Sequence, residues 1–416
     1  MSTAMLRRVT PRELEAIPRA VVDAETLSAA ASIVEDVRRR GEAALLDYAE
    51  RFDGWVRGTP WIYERSELRK ALEGLSRAER DALTRLAGRI AAFAQAQRDA
   101  LREIELPVPG GRAGHRIVPI QRAGCYAPAG RYPLPSSLLM GAVTARVAGV
   151  SDVVVATPRP GQVMLGAAAI AGADAVVAVG GAQAIAAMAF GIGIAPRDII
   201  VGPGNRWVTA AKKHVAGEVA IDFLAGPSEL VVVADDSADA AAVAADLLAQ
   251  AEHDADAVVA LVTDSIEVVD AVERELVRQL NDLTTSPIAI AALRTAAAVV
   301  CDGAREIAEV CDRISPEHLQ LSVRDPVALA GRLRNAGTLF LGAKTSVVFG
   351  DYGVGGNHVL PTAGTARFAG GLSALNFLRV QAWLELSDPA RAAGDVAALA
   401  RMEGLEAHAR AVERER

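Results

Sequence analysis

The chain has 416 residues, 51% of them hydrophobic, which is too long for one ordinary core and indicates two large domains with smaller pieces. Its net charge of −7 and the absence of any long Lys/Arg run exclude a general nucleic-acid binder. The three cysteines, Cys125, Cys301 and Cys311, provide neither a disulfide framework nor a cysteine-ligated zinc site, so we expect a cytoplasmic protein.

The first hundred residues predict helices. Apolar residues recur at helical spacing over 24–51 and again over 76–98, where Ser76 is a suitable N-cap. Neither helix carries an evident reactive cluster. We therefore predict a helical N-terminal region over residues 1–110.

From residue 118 onward, short apolar runs alternate with helical stretches. This alternation predicts an α/β fold with two Rossmann-like parallel-sheet domains, over 111–230 and 231–380, followed by a small helical C-terminal tail over 381–416. A final helix is expected from residue 393. The predicted strands are 153–156, 175–179, 199–201, 230–233 and 258–262, and the clearest helices are 238–251 and 268–280.

Residues 164–195 are almost uncharged and raise the question of a membrane span. The stretch is mostly Ala and Gly, and turn residues interrupt it at 172–174 and at 180–181. It therefore predicts a buried helix, strand and helix, and we expect no membrane partner.

Two polar pairs carry possible chemistry in the second α/β series. Gln250 and His253 are three residues apart at the end of an Ala-rich helix, so they are expected to share a face and could grip one ion. The alternative is a helix C-terminus at which His253 meets the dipole. Glu317 and His318 are an acid–base pair by type and could serve two different proton transfers, or they could be an ordinary surface pair.

Two further sets lie closer to the C-terminus. Glycines in 349–358 let the backbone bend sharply, so that Asp351 and His358 could face a ligand, unless the segment is simply a flexible loop. Glu403 and His408 lie on neighbouring faces of the terminal helix, where a solvated face is the default interpretation.

Glycine-rich turns at 179–183 and 201–205 each follow a strand and begin a helix. Such turns let a phosphate approach backbone N–H groups. Neither matches the full dinucleotide-binding fingerprint, and a tight turn between strand and helix is the alternative for both.

Taken together, these segments resemble the histidinol dehydrogenase family over nearly the whole chain, most weakly before residue 110. The matching segments occur in the family's order: 124–140 with Tyr126 and Pro135-Ser136-Ser137, 179–183, 202–205 with 226–229, 250–253 with 315–318, and 350–362. Glu403 and His408 complete the set.

The resemblance implies a zinc-dependent, NAD-linked four-electron oxidation of L-histidinol to L-histidine through histidinal. By this resemblance His318 takes the hydroxyl proton as hydride leaves, and Glu317 activates water on the aldehyde. The implied Zn²⁺ ligands are Gln250, His253, Asp351 and His408. The implied NAD contacts are Tyr126, Gln183 and Asn205. The implied substrate contacts are Ser228, Gln250, His253, His318, Asp351, His358, Glu403 and His408.

The resemblance also implies a homodimer with shared active sites, in which the tail of one chain supplies Glu403 and His408 to its partner. One segment departs from the histidinol type. Where histidinol-specific members have two glycines and a small residue after Tyr-x-Pro, this chain has Ala129-Gly130-Arg131, and Arg131 adds a cation with bidentate reach.

Three alternative functions follow. A family relative that oxidises another polar alcohol, such as a sulfonated diol, is the first, because such relatives resemble the segment around Arg131 more closely. A zinc hydrolase, with Glu317 activating water without NAD, is opposed by the two glycine-rich turns. A non-catalytic binding relative is opposed by the presence of every metal, acid–base and substrate position named above.

Overall fold

The computed structural model describes residues 5–15, 22–129 and 133–414. Within these ranges the chain forms two six-stranded sheets and one three-stranded sheet. The strands are β1 Arg7–Arg8, β2 Ile62–Glu64, β3 Ile104–Val108, β4 Gly111–Pro119, β5 Arg122–Tyr126, β6 Asp152–Ala156, β7 Ala175–Val177, β8 Ile199–Val201, β9 Ala220–Ile221, β10 Glu229–Ala234, β11 Val258–Thr263, β12 Ala297–Val300, β13 His318–Ser322, β14 Thr338–Leu341 and β15 Leu378–Leu386.

Helices cover both faces of the two larger sheets. They are α1 Pro11–Glu15, α2 Ala24–Arg40, α3 Glu42–Tyr48, α4 Arg65–Glu73, α5 Arg77–Asp99, α6 Pro135–Ala148, α7 Gln162–Ile170, α8 Gly181–Phe190, α9 Arg206–Val215, α10 Ala240–Ala251, α11 Ile266–Leu280, α12 Ser286–Leu293, α13 Gly303–Ile314, α14 Pro326–Ala330, α15 Val348–Asp351, α16 Ala390–Met402 and α17 Glu406–Glu413. The predicted α/β class with parallel sheets is confirmed.

The first large sheet has the strand order β2-β7-β6-β5-β8-β9, and only the β2–β7 pair among these is antiparallel. Its central strands β5, β6, β7 and β8 are mainly apolar because α2, α8 and α9 cover one face and α5, α6 and α7 the other. The chain adds strands toward opposite edges of the sheet from the adjacent strands β5 and β8, with β6 and β7 beyond β5 and β9 beyond β8. The carboxyl ends of these two strands therefore form a switch point, the place where open α/β sheets usually take ligands.

The second large sheet has the order β1-β12-β11-β10-β13-β14 and is parallel in every pair. Helices α10, α11 and α12 pack on one face, and α1, α13 and α14 on the other. One of its two edge strands, β1, comes from the start of the described chain, and the neighbouring Leu6 is fully buried.

The N-terminal region is mainly helical, but it also contributes β1, β2 and β3. Two of these strands are only two or three residues long, too short for a periodic pattern to reveal. The predicted helix over 24–51 is interrupted at Gly41, whose φ is 63°. The segment 164–195 forms α7, β7 and α8 as predicted, and no helix in the described ranges is long and apolar enough to cross a membrane.

The small antiparallel sheet β15-β4-β3 leads into the tail. The N–H groups of Ser387 and Asp388 both donate to the carbonyl of Gly110, at 2.9 Å each. The predicted final helix is in fact two helices, α16 and α17, because Gly404 adopts a left-handed φ of 76° between them.

Candidate active site

A cluster of polar side chains lies at the amino-terminal edge of the second sheet. Ser228 precedes β10 and Glu317 precedes β13, and these two strands are neighbours with Leu230 paired to His318. The chain reaches Glu317 through Ser315, which ends α13 with a φ of 49°. The strand pairing therefore brings together residues that are 89 positions apart in sequence.

The Glu317 carboxylate is buried and held by two donors. Its Oε2 accepts the Ser228 hydroxyl at 2.7 Å and the Glu229 N–H at 2.8 Å. Gln250 Nε2 in turn donates to Ser228 Oγ at 2.7 Å. Burial raises the pKa of Glu317 to about 8, although the two donors oppose this shift. A carboxyl with such a pKa can exchange a proton near neutral pH.

His318 is a buried, neutral imidazole. Its Nδ1 lies 2.7 Å from the Glu229 carbonyl oxygen, so Nδ1 carries the proton and Nε2 is left as the acceptor. Burial, together with the neighbouring His358, lowers the pKa of His318 to about 3. His358 stacks on His318 with ring centroids 4.5 Å apart and the two Nε2 atoms 2.8 Å apart. His318 is therefore unprotonated at neutral pH, and its Nε2 faces the His358 ring.

Glu317 and His318 are both held by the backbone of Glu229, through its N–H and its carbonyl respectively, and Glu317 Oε2 lies 3.5 Å from His318 Nδ1. Glu317 belongs to the hydrogen-bonded chain through Ser228 to Gln250. His318 instead leads through His358 to Asp351, whose Oδ1 lies 3.1 Å from His358 Nε2.

Asp351 is an anion at the end of α15. Its burial raises the pKa, but the hydrogen bond from His358 and the charges of His358 and His253 outweigh that effect and hold the pKa below its ordinary value. The Gln250 amide nitrogen donates a hydrogen bond to Ser228, so the amide oxygen is the atom that could bind a metal ion. Imidazole nitrogen, carboxylate oxygen and amide oxygen fit Zn²⁺ in donor type.

One detail of this set differs from the sequence prediction. Gln250 and His253 do not share a helix face, because α10 ends at Ala251 with Glu252 as its C-cap. His253 lies beyond the helix and is exposed, whereas Gln250 is buried in the last turn. The helical pattern could not reveal this, since the end of α10 carries neither Gly nor Pro.

Glu403 and His408 are exposed on the tail helices. Helices α16 and α17 pack on each other through Ala397, Ala400 and Ala409. Within the described ranges, neither Glu403 nor His408 forms a hydrogen bond or ion pair with the residues at the amino-terminal edge. No three His, Cys, Asp or Glu side chains of the described chain converge as a metal-ligand group.

The residues proposed to contact NAD lie at the carboxyl edge of the first sheet. Tyr126 ends β5, and its hydroxyl accepts the Gly181 N–H at 3.2 Å. Gln183 Nε2 and the Gly180 N–H both donate to Asp53 Oδ2, at 3.1 and 2.8 Å. These three contacts surround the first residues of α8, next to the switch point of the sheet.

Asn205 caps α9, with its Oδ1 accepting the N–H groups of Trp207 and Val208. The Gly202 N–H donates to Asp222, which pairs with the buried Lys212. Several turn amides that the sequence offered to a phosphate are therefore bonded to side chains. Asp53 and Asp222 were not identified from the sequence, because no local motif marks either of them. Arg131 lies outside the described residues.

A sequence profile of the histidinol dehydrogenase family matches residues 18–415. The chain belongs to the histidinol dehydrogenase family. The histidinol dehydrogenase of Parasynechococcus marenigrum is 45% identical over 389 residues, covering 91% of this chain and 89% of that protein. The histidinol dehydrogenase of Rhizobium meliloti is 44% identical over 414 residues, covering 97% of this chain and 93% of that protein.

The fold agrees with this assignment. The crystal structure of histidinol dehydrogenase from Elizabethkingia anophelis matches with a TM-score of 0.92 and 30% identity, over 99% of this chain and 98% of that one. The predictions of the family and of an enzyme are confirmed, and the chain is an oxidoreductase. Membership of this family argues against the two alternatives of a zinc hydrolase and a non-catalytic binding protein.

Proposed function

We propose that this chain oxidises L-histidinol through histidinal to L-histidine, using NAD and Zn²⁺, in histidine biosynthesis. The observation that carries the proposal is the pairing of Glu317, bonded through Ser228 to Gln250, with the neutral His318 beside it. Two acid–base groups of opposite character suit a reaction with two distinct proton transfers. The names of the relatives favour histidinol over a sulfonated diol.

His318 serves the alcohol step. Its Nε2 accepts the hydroxyl proton as hydride leaves the carbon, and the Glu229 carbonyl stabilises the resulting imidazolium through Nδ1. NAD supplies the hydride acceptor for each of the two oxidations. Tyr126, Gln183 and Asn205 are the residues that would hold it, at the carboxyl edge of the first sheet.

Glu317 serves the aldehyde step. In its ionised form the carboxylate takes a proton from the water that adds to the aldehyde carbon, while the His318 imidazolium returns its proton to the aldehyde oxygen, giving a hydrate and a neutral His318. His318 then accepts a hydroxyl proton of this hydrate as the second hydride leaves, so one water and two NAD are consumed per alcohol. Zn²⁺, when bound, supplies an anchor for the nitrogen donors of the substrate. Gln250, His253 and Asp351 would hold it, together with His408.

We infer further that the working unit is a homodimer in which Glu403 and His408 come from the partner. One face of the small sheet is apolar and exposed in the single chain, as is the outer side of α16. The exposed fraction is 82% for Met402, 67% for Val380, 65% for Leu384 and 47% for Leu106. Exposed apolar surface of this kind suits association with a second copy.

The substrate is tested with purified, zinc-loaded protein by following NADH formation with histidinol, histidinal and a sulfonated diol. We expect turnover of histidinol and histidinal, with two NADH formed per histidinol. Turnover of the diol without turnover of histidinol would overturn the assignment. The same assay on Arg131→Ala tests the segment that differs from the histidinol type. A cationic substrate predicts a mild change, whereas an anionic one predicts a raised KM.

A further inference from the structure

A second buried polar cluster lies beside the candidate active site and takes no part in the mechanism above. At its centre is Asp246 of α10, which is only 8% exposed. Its Oδ2 accepts Gln320 Nε2 at 2.6 Å, and its Oδ1 accepts the Ser346 hydroxyl at 2.6 Å. Gln320 Nε2 also reaches Ser322 Oγ at 3.3 Å.

Asp246 connects three elements, and each of them carries a residue of the site. On α10, Asp246 lies one turn before Gln250 and shares its face. On β13, Gln320 lies two residues after His318, so both side chains point to the same side of the sheet. Ser346 begins the segment that leads into α15 and ends at Asp351. The Asp246 carboxylate therefore links the three elements that carry Gln250, His318 and Asp351.

The cost of this arrangement argues against a purely stabilising role. Within the described ranges, Asp246 forms no ion pair, and its two partners are neutral. Burying a carboxylate without a cation is unfavourable, and apolar replacements of buried polar clusters are often as stable. What the cluster provides is geometry, since two short hydrogen bonds hold a helix and a loop at a fixed position against a strand.

We infer that Asp246 is a positioning residue that holds the Gln250 amide and the Asp351 carboxylate at the separation required by a shared Zn²⁺ ion. This inference rests on the proposed zinc dependence. Because outer partners of metal ligands orient those ligands, their loss weakens metal binding even though no ligand is removed.

The test measures Zn²⁺ affinity of the full chain by competition with a chromophoric chelator, without substrate. The visible spectrum of the Co²⁺-loaded protein reports ligand geometry in parallel. Asp246→Ala should weaken Zn²⁺ binding by about 10–100-fold and alter the Co²⁺ spectrum. Asp246→Asn should bind nearly as well as wild type. Its amide can donate to Gln320 Oε1, which has no partner within the described ranges, once the Gln320 side-chain amide turns over, while its oxygen keeps Ser346.

Leu247→Ala is the matched control, since Leu247 is fully buried on the same helix but packs into the apolar core. It should lower thermal stability without changing Zn²⁺ affinity. If Asp246→Ala yields no folded protein, Ser346→Ala is measured instead. This variant removes the hydrogen bond from Ser346 to Asp246 and should also weaken zinc binding.

Unchanged Zn²⁺ affinity in Asp246→Ala, or in the substituting Ser346→Ala, overturns the role of Asp246 while leaving the proposed function intact. An equal loss in Leu247→Ala overturns it as well. A wild-type chain that binds no zinc overturns the zinc dependence and this inference together.

Discussion

Glu317 and His318 are adjacent in sequence, yet burial moves their protonation in opposite directions. Desolvation favours the neutral form of each group, so the carboxyl holds its proton to higher pH and the imidazole loses its proton at lower pH. His318 is therefore unprotonated at neutral pH and at every higher pH. Glu317 is a base only where it is ionised.

A pH dependence follows for the aldehyde half of the reaction. The ionised form of Glu317 exists above its pKa and is lost as the pH falls through it. The rate of histidinal oxidation should therefore rise with pH, with a midpoint no higher than about 8 because a bound cation can only favour the carboxylate. The measurement is kcat/KM for histidinal and histidinol from pH 6 to about 10.

Glu317→Gln should remove this rising limb and reduce histidinal oxidation far more than histidinol oxidation to the aldehyde. His318→Asn is the comparison variant and should reduce alcohol oxidation. Equal losses in both halves for Glu317→Gln would contradict a role specific to water activation.

A second prediction at this scale concerns Gly350, against which the His358 ring packs. A Cβ at position 350 would lie 2.4 Å from Nδ1 and 2.6 Å from Cε1 of His358, so the ring must move away from His318 and Asp351. Gly350→Ala should lower turnover by roughly 10–100-fold, the size expected for a displacement of about 1 Å. Steady-state kinetics of the purified variant measures this.

Gly356→Ala is the control in the same loop, because its Cβ would meet nothing closer than 3.5 Å. Adding Gly350→Ala to His358→Ala should cause little further loss, since the displaced ring is already absent. Fully additive losses would show that Gly350 acts through something other than His358.

At the scale of elements, the two large sheets offer opposite edges to the chemistry. The residues proposed for NAD follow strands β5, β7 and β8, at the carboxyl edge where parallel sheets usually bind ligands. The acid–base pair instead lies at the start of β13, with Glu317 before the strand and His318 as its first residue, and Ser228 precedes the neighbouring β10. The polar side chains of the second sheet are supplied by the segments that enter it, and α10 delivers Gln250 to the same edge with its C-terminal end.

Strand β1 gives the element-scale prediction. It closes one edge of the second sheet, and Leu6 beside it is fully buried. Leu6→Ala should lower the free energy of unfolding by about 2–5 kcal/mol, as expected for a large side chain lost from a core. Urea denaturation followed by circular dichroism measures it.

Arg8→Ala provides the matched control on the same strand. The Arg8 side chain is 53% exposed and pairs with Asp270, so its loss should cost no more than about 1 kcal/mol. If Leu6→Ala were no more destabilising than Arg8→Ala, the segment would not be anchored through its apolar side chain.

At the scale of the whole molecule, the tail decides whether the active site is complete within one chain. A shared site can be tested with His253→Ala and His408→Ala, each expected to be inactive alone. In a mixed dimer one site collects both lesions and the other collects neither. Unfolding and refolding the two together should recover roughly a quarter of wild-type activity, because about half of the dimers are mixed and each has one intact site.

The control is each variant refolded alone, with mixed dimers detected by two affinity tags. No recovery from a preparation that contains mixed dimers would place His408 in the site of its own chain, or outside the site altogether.

The sequence alone determined the fold class, the family and five strands of the two large sheets, β6, β7, β8, β10 and β11. Runs such as those of β6, β8, β10 and β11 report burial on both faces, which is a local property of the chain. Only the tertiary structure decided that Ser228 donates a hydrogen bond to Glu317, and that Asp53 and Asp222 accept hydrogen bonds from the N–H groups of the glycine-rich turns. It also decided that Asp246 links α10, β13 and the segment before α15, and that β1 joins the second sheet. These contacts depend on strand order and on where each helix ends. Local periodicity encodes neither, because the bonded partners lie tens to hundreds of residues apart.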